Sequence, residues 1–282
     1  MTTSDYINVI QYYWQNPDAL AQVDQFRLNS LRDIEKAIGV QPIETVSVHP
    51  LQSLYTACRR MLESRARRIP LVDVDDETQR AMIVSVLTQY RILKFVAVNV
   101  KDTQNLRKPL RDIDCGTYGD LQTATMETPV MDVIHLLVKY SISNVPILDS
   151  DGNYSCLETL IYPTKHEAGG VVNVFEAVDV ISLIKGGVYD DLNLTVGEAL
   201  LKRSEVTCLT PLFQAIEADL IQEFPGIFTC TLNDRLDSIF DTIRKSRVHR
   251  FVVIDEDKKL KGLLTLSDIL EYVLLEGEGD EL

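Results

Sequence analysis

The sequence has little of what a membrane, a metal or a secretory route would require. No stretch approaches the roughly 18 uninterrupted apolar residues of a membrane-spanning helix, and no basic segment followed by an apolar core opens the chain as a secretory signal would. The five cysteines, Cys58, Cys115, Cys156, Cys208 and Cys230, are odd in number, scattered and never spaced C-x-x-C. That pattern argues against a disulfide framework or a zinc site and points to reduced thiols in the cytoplasm or nucleus. Four histidines without metal spacing give no reason to expect a metal centre, and the acidic turns Asp73/Asp75-Asp76 and Asp190-Asp191 read as ordinary solvated turns. Neither G-x-x-x-x-G-K-[ST] nor H-E-x-x-H occurs, so no motif supports an enzyme that hydrolyses nucleotides. Basic residues are outnumbered 28 to 42, and a net charge of −14 argues against general binding to a nucleic-acid backbone. What remains is an ordinary soluble composition, 45% hydrophobic and 25% charged over 282 residues, with room for about two domains.

What the chain does have is repetition. Thr-x-Ser-Asp before an apolar helix occurs at Thr2 to Asp5 and again at Thr265 to Asp268. Looser copies lie at Leu87-Thr88-Gln89-Tyr90-Arg91-Ile92-Leu93 and Val174-Phe175-Glu176-Ala177-Val178-Asp179-Val180. Self-similarity at this scale marks an array of small modules. Each module reads helix, strand, strand, helix. In the last, Asn233 caps a helix with Leu236, Ile239, Phe240 and Ile243 on one face. Phe251 to Ile254 and Leu260 to Leu264 are strands, and Ser267-Asp268 starts the closing helix. The third repeats this with Thr128-Pro129, a helix bearing Val130, Val133, Ile134 and Leu137, and the strand Val145 to Asp149. The second uses Leu54, Cys58, Met61 and Leu62, then the strands Ile69 to Asp73 and Ile83 to Leu87. Two basic clusters stand at the same point of the repeat, just before an apolar strand: Arg59, Arg60, Arg65, Arg67 and Arg68, and Arg244, Lys245, Arg247, His249 and Arg250. In an acidic protein, equivalent basic mouths suggest small anionic ligands, because Arg grips phosphate with two parallel hydrogen bonds.

The expected divisions are a closing helix of a first repeat at 1–13, a helical linker at 14–40, a second repeat at 41–100 and a third at 120–190. A linker at 191–227, a fourth repeat at 228–276 and an acidic tail at 277–282 complete the chain. Residues 1–13 have no helix-strand-strand ahead of them, and a half-module cannot bury its apolar face alone. Two stretches break the repeat. The distance from the strand's Pro slot to the acidic helix position is 268 − 251 = 17 residues in repeat four and 179 − 146 = 33 in repeat three, which places a surplus at about 153–169. The second surplus is about 205–222. Both stretches and the short start are expected to come from a gene model with retained introns. The rival is a genuine chain with long surface loops. Transcript reads continuous through both stretches in most mature message would sink the intron reading.

These modules resemble cystathionine-β-synthase (CBS) repeats paired into Bateman modules. More closely, the chain resembles the γ regulatory subunits of the AMP-activated, or fungal sucrose-non-fermenting, protein kinase family. The resemblance is carried by Tyr6 to Tyr13, Ser85 to Phe95, Leu183-Ile184-Lys185-Gly186-Gly187, Ser246-Arg247-Val248-His249-Arg250-Phe251 and Leu264 to Leu270. It implies an α+β disc of tandem CBS repeats, with the first repeat incomplete here. In that family an Asp at the start of each closing helix accepts hydrogen bonds from ribose hydroxyls, a role suited to an ionised carboxylate. Asp5, Asp179 and Asp268 hold that position; the second repeat has Arg91, so its site is expected to go without nucleotide. The resemblance assigns phosphate contacts to Arg68, His249 and Arg250, and to Arg67, where animal relatives have His. It places Thr128, Ser143, Val145, Thr265 and Ser267 in the walls around adenine and phosphate. The function implied is a non-catalytic subunit, cytoplasmic and nuclear, that binds AMP, ADP and ATP without a further cofactor. Its implied partners are a kinase catalytic α subunit and a scaffolding β subunit. The alternative is another Bateman module sensing an adenosyl metabolite. On this reading Asp268 is the best-supported ribose ligand, and Asp5 contributes little because the strands that would complete its site are missing.

Overall fold

The computed structural model describes residues 2–19, 26–41, 46–99, 105–149, 170–185, 194–208 and 227–276. The stretches 153–169 and 209–222, Gly186-Gly187, Asp190-Asp191 and the tail 277–282 lie outside them.

Apolar residues at helical spacing build the helices where the sequence pattern requires. Helix α1 is Thr3–Gln15, and α2, Leu31–Ala37, follows a short 3-10 turn at Leu28–Ser30. In α3, Leu54–Glu63, the residues Ala57, Cys58 and Met61 share a buried face. The strands β1, Arg68–Val74, and β2, Ala81–Thr88, then pair antiparallel and lead into α4, Gln89–Asn99. Strand β3 is Ala124–Thr125, α5 is Val130–Lys139, and β4, Asn144–Leu148, pairs parallel with β3 and antiparallel with β5, Val171–Glu176. Helices α6, Ala177–Lys185, and α7, Val196–Cys208, follow; α7 therefore runs into the start of the second surplus stretch. The last repeat is β6, Thr229–Cys230, α8, Leu236–Lys245, β7, Arg250–Ile254, β8, Leu260–Thr265, and α9, Leu266–Glu276.

The chain divides into two compact units. The first comprises described residues within 1–42, 120–226 and 256–260. Its core is built on α5 and the β3-β4-β5 sheet, with Val130, Val133, Ile134, Val145, Ile147 and Phe175 almost fully buried. Helix α1 packs on α5 and α6 there, so Ile7 joins this core. The second unit holds 43–119, 227–255 and the described part of 261–282. In it α4 packs on α8 and α9, and Met61, Ile69, Leu93, Leu236, Ile243 and Ile269 are buried together.

One cap differs from the sequence reading. Asn233 does not cap α8: its Oδ1 accepts from Arg111 Nη1 at 2.7 Å, and the N-cap is Arg235, which makes no side-chain cap bond. The chain turns first at Thr231 to Asp234, where Asp234 Oδ2 accepts the Thr231 N–H at 2.7 Å. That turn delays the helix until Leu236 can enter the core.

The cap of α3 is better formed, with Ser53 Oγ accepting the Thr56 N–H at 3.1 Å. Ser53→Ala is expected to lower stability by about 1 kcal/mol, the usual worth of such a cap. Urea unfolding of the two proteins checks it, and coincident midpoints would mean that water replaces the serine without cost.

Candidate functional site

The four closing helices start alike. Thr2 Oγ1 accepts the Asp5 N–H at 3.2 Å, while Asp5 Oδ2 accepts the Thr2 N–H at 2.5 Å, a reciprocal capping box. Thr265 and Asp268 repeat it: Asp268 Oδ2 accepts the Thr265 N–H at 2.7 Å and its hydroxyl at 2.9 Å. In repeat three Asp179 Oδ2 accepts the Glu176 N–H at 2.8 Å. In repeat two the direction is one-way, because Arg91 cannot accept: its N–H donates to Thr88 Oγ1 at 3.2 Å, and its Nη1 reaches the Val86 carbonyl at 3.4 Å. The local sequence thus fixes each carboxylate on its own helix start through Oδ2, and Oδ1 takes no part in the caps of Asp5 and Asp268.

Burial separates the three carboxylates. Asp179 is 4% exposed. Asp268 is half-buried, and desolvation pushes its pKa up, against the opposing pull of the Thr265 hydrogen bonds. A folded pKa above the unfolded one means that this group favours the folded state at acid pH. The contribution is lost as pH rises from the ordinary aspartate range through the raised folded value. Asp268→Asn, which never ionises, is therefore expected to gain stability relative to the unsubstituted chain as pH climbs through that window. Urea midpoints for both proteins across the acid-to-neutral range check this; a constant difference would show that Asp268 does not carry the effect.

In the second unit the start of α4 is a meeting point. Gln89, 5% exposed, donates through Nε2 to Ser267 Oγ at 3.0 Å, and the Ser267 hydroxyl lies 3.2 Å from Gln89 Oε1. The Tyr90 ring meets the His249 ring edge-on, with centroids 6.3 Å apart. The first turn of α4 therefore brings together His249 and the Ser267-Asp268 helix start. His249 is exposed, and Arg250 opens β7 half-buried with its Nη1 enclosed. Arg67 and Arg68 lie exposed at the start of β1, and the Arg67 carbonyl accepts the Gln89 N–H at 3.2 Å.

The rest of the basic clusters points elsewhere. Arg59 donates to the Tyr55 hydroxyl at 3.3 Å and lies 3.6 Å from Glu63. Arg60 bonds the Ser47 carbonyl at 3.0 Å, and Arg244 pairs with Asp241 at 3.0 Å. The mouths expected of ten basic residues are thus narrower, because Arg59 and Arg244 pair along their own helices and Arg60 reaches back to the segment before its helix.

In the first unit, Ser143 and Asp179 sit at one end of the β4–β5 pair. The Ser143 carbonyl accepts the Ala177 N–H at 3.0 Å, and Asn144 stands opposite Glu176, whose N–H holds Asp179. Val145, 0% exposed, belongs to the core rather than to an open wall. Thr128 is tied locally: its Oγ1 accepts the Thr125 N–H at 2.9 Å, and its carbonyl accepts the Val196 N–H at 2.9 Å. Asp5 is also in this unit, whereas Asp268, Arg68, His249, Arg250 and Arg91 are in the second.

The sequence reading missed Gln89 and Asn144. Both are buried polar residues, at 5% and 7% exposure, next to expected site residues. A polar residue immediately before the Arg91 helix turn was the available signal for Gln89. Of the acidic turns, Asp190-Asp191 lies outside the described residues, and in the other Asp73 and Asp75 have separate partners. His49 Nε2 lies 3.1 Å from Asp73 Oδ1, and Asp75 Oδ1 accepts both the Thr78 N–H and hydroxyl at 2.7 Å. Among the described residues, no group of three or more His, Cys, Asp or Glu side chains could hold a metal. Burial pushes the thiols of Cys58 up to about 11 and of Cys115 and Cys230 to about 12, so these stay protonated and unreactive.

Comparison with known proteins bears on this geometry. The CBS domain pattern matches residues 35–98, 111–156 and 221–275. The chain is 52% identical over 275 residues to the 5'-AMP-activated protein kinase subunit gamma of Kluyveromyces lactis, covering 97% of this chain and 74% of that protein. It is 48% identical to the subunit of the same name from Saccharomyces cerevisiae, covering 98% and 75%. A solved structure from Methanocaldococcus jannaschii, described as an archaeal homologue of the kinase γ subunit, shares the fold with a TM-score of 0.61 at 15% identity, over 97% of this chain and 82% of that one. The chain belongs to the CBS-domain family of AMP-activated protein kinase γ subunits, of fungal type.

Proposed function

We propose that this chain is the non-catalytic, adenine-nucleotide-sensing regulatory subunit of a heterotrimeric, energy- and nutrient-responsive Ser/Thr protein kinase. The observation that carries the reading is the helix start at Asp268. A half-buried carboxylate is held through one oxygen by Thr265, and its neighbour Ser267 is held by Gln89 at the same helix turn where Tyr90 meets His249. A pure acceptor beside a basic strand start suits a ribose diol with its phosphate. Extra phosphates would extend past that contact, so AMP, ADP and ATP should compete, with no further cofactor. Asp179, Ser143 and Thr128 form the second candidate pocket, and Asp5 a third position of lower weight; the Arg91 site stays without nucleotide.

In this reading the chain docks a catalytic α and a scaffolding β subunit, acts in cytoplasm and nucleus, and performs no chemistry on the nucleotide. Calorimetry with each nucleotide on the folded chain is the first test: mutual competition is expected, and no binding of any of them would overturn the proposal. Size-exclusion of co-expressed α, β and this chain should give one peak; separate elution removes the partner assignment. ADP appearing from ATP with the purified chain alone would remove the non-catalytic one.

A further inference from the structure

The segment 115–118, between the second and third repeats, is clasped onto β8 of the last repeat. Thr117 and Leu263 exchange both backbone hydrogen bonds. The Thr117 N–H donates to the Leu263 carbonyl at 2.8 Å, and the Leu263 N–H to the Thr117 carbonyl at 2.9 Å. The turn can be this tight because Gly116 has φ 114°, and a Cβ there would stand 3.0 Å from the Leu263 carbonyl oxygen. Tyr118 closes the turn, its hydroxyl donating to the Cys115 carbonyl at 2.8 Å. All of these residues lie in the second unit.

The Tyr118 ring lies on a bare piece of strand. Gly262 is buried in β8 on the same face as Leu264. A Cβ at Gly262 would collide with Tyr118 Cδ1 and stand 2.8 Å from the Thr117 carbonyl oxygen. The backbone of Gly262 is ordinary, so glycine is required there by space alone. No side chain fits between the ring and the strand.

From this contact to Asp268 the path is short. Leu263 stands just ahead of Thr265, whose N–H and hydroxyl are both held by Asp268 Oδ2. Thr265 ends β8, and α9 begins at Leu266. A shift of β8 against the clasp therefore moves Thr265 and turns Asp268 with it. The clasp also stands beside the carboxylate. Burial, and then the neighbouring Cys115, Cys230 and Asp268, push the Tyr118 hydroxyl up to about 12. Folding the helix start does not demand this arrangement. The box of Thr2 and Asp5 makes both reciprocal bonds at the surface, so a cap of this kind closes without a clasp.

We propose that Tyr118 is a positioning residue for nucleotide at the last repeat: its ring, seated on Gly262, fixes the place of β8 and so aims Asp268 Oδ1, the oxygen that takes no part in the cap. The inference rests on the ribose role proposed above for Asp268. Tyr118 acts through the strand and does not have to touch the ligand. Small displacements of a positioned acceptor cost affinity because the hydrogen bond weakens steeply with distance and angle.

A double-mutant cycle read by calorimetry with AMP tests this on the full chain. Tyr118→Ala is expected to weaken AMP binding roughly tenfold, within the range of coupled neighbours. Tyr118→Phe, which keeps the ring on Gly262, should recover most of that loss. In an Asp268→Asn background Tyr118→Ala should cost little more, because residues on one path do not add. Gly262→Ala opens the same contact from the strand side and should behave like Tyr118→Ala in both backgrounds. A further measurement uses the unsubstituted chain: AMP should slow hydrogen exchange at the Thr117 and Leu263 amides. Losses that multiply in the double variant overturn the positioning role. So do amides that exchange as before, or a Tyr118→Ala chain that unfolds at lower urea yet binds AMP unchanged. An Asp268→Asn chain that binds AMP as tightly as the unsubstituted one overturns the ribose reading itself, and the positioning role with it.

Discussion

Arg250→Ala is expected to weaken adenine-nucleotide binding by about 1.5–3 kcal/mol, the usual cost of losing a charge-assisted hydrogen bond, or roughly ten- to 150-fold. Arg250 opens β7 at the strand start that follows His249, half-buried with its Nη1 enclosed. A guanidinium there is partly desolvated, so its attraction to phosphate is screened less than at a surface site. Lys258 provides the contrast. It sits exposed in the turn before β8 with φ 60°, and its backbone carbonyl, not its side chain, bonds the Val171 N–H at 3.2 Å. Lys258→Ala should leave affinity unchanged. Isothermal calorimetry on both variants decides it, and equal affinities would reduce the second basic cluster to surface. Thermal unfolding of Arg250→Ala alongside guards against a trivial loss through misfolding.

The parts of this fold that were legible in the sequence are those governed by short-range rules. Leu236, Ile239, Phe240 and Ile243 recur at helical spacing and are all buried on α8, because one face of an amphipathic helix has only one place to go. The Thr-x-Ser-Asp repeat marked where closing helices start; the reciprocal bonds that make it a capping box close within four residues, but the sequence reading took the Asp as a ligand position and did not name the box. Asn233 misled because Asn is as good a cap as Asp, and the competing turn at Asp234 lies one residue further on. Long-range pairing was out of reach. Gln89 and Ser267 are 178 residues apart, and no periodicity announces that their side chains meet. The basic clusters were legible as charge but not as direction, because Arg59, Arg60 and Arg244 spend their guanidinium groups on their own or adjacent elements.

Asp268→Ala is expected to lower nucleotide affinity at least tenfold, about 1.4 kcal/mol, and separately to cost about 1 kcal/mol of folding stability through the lost cap. The two effects have different origins on one side chain. Oδ2 holds the Thr265 N–H and hydroxyl at 2.7 and 2.9 Å, which is a folding contact. On the proposed function, Oδ1 is the acceptor left to meet a ribose hydroxyl. Asp268→Asn pulls these roles apart. Its amide oxygen can keep the Thr265 bonds, so the cap survives. Its amide N–H₂ then faces the diol, where a donor meets hydroxyls that need an acceptor, and the charge-assisted part of the bond is gone. Asn should therefore bind nucleotide nearly as poorly as Ala while unfolding close to the unsubstituted chain at neutral pH or somewhat above it, since it also removes the cost of a desolvated charge. Calorimetry and urea unfolding on the same three samples give both axes. If Asp268→Ala loses stability but binds as tightly as before, the carboxylate is a helix cap and nothing more, and the ribose assignments of Asp179 and Asp5, which rest on the same helix position, fall with it.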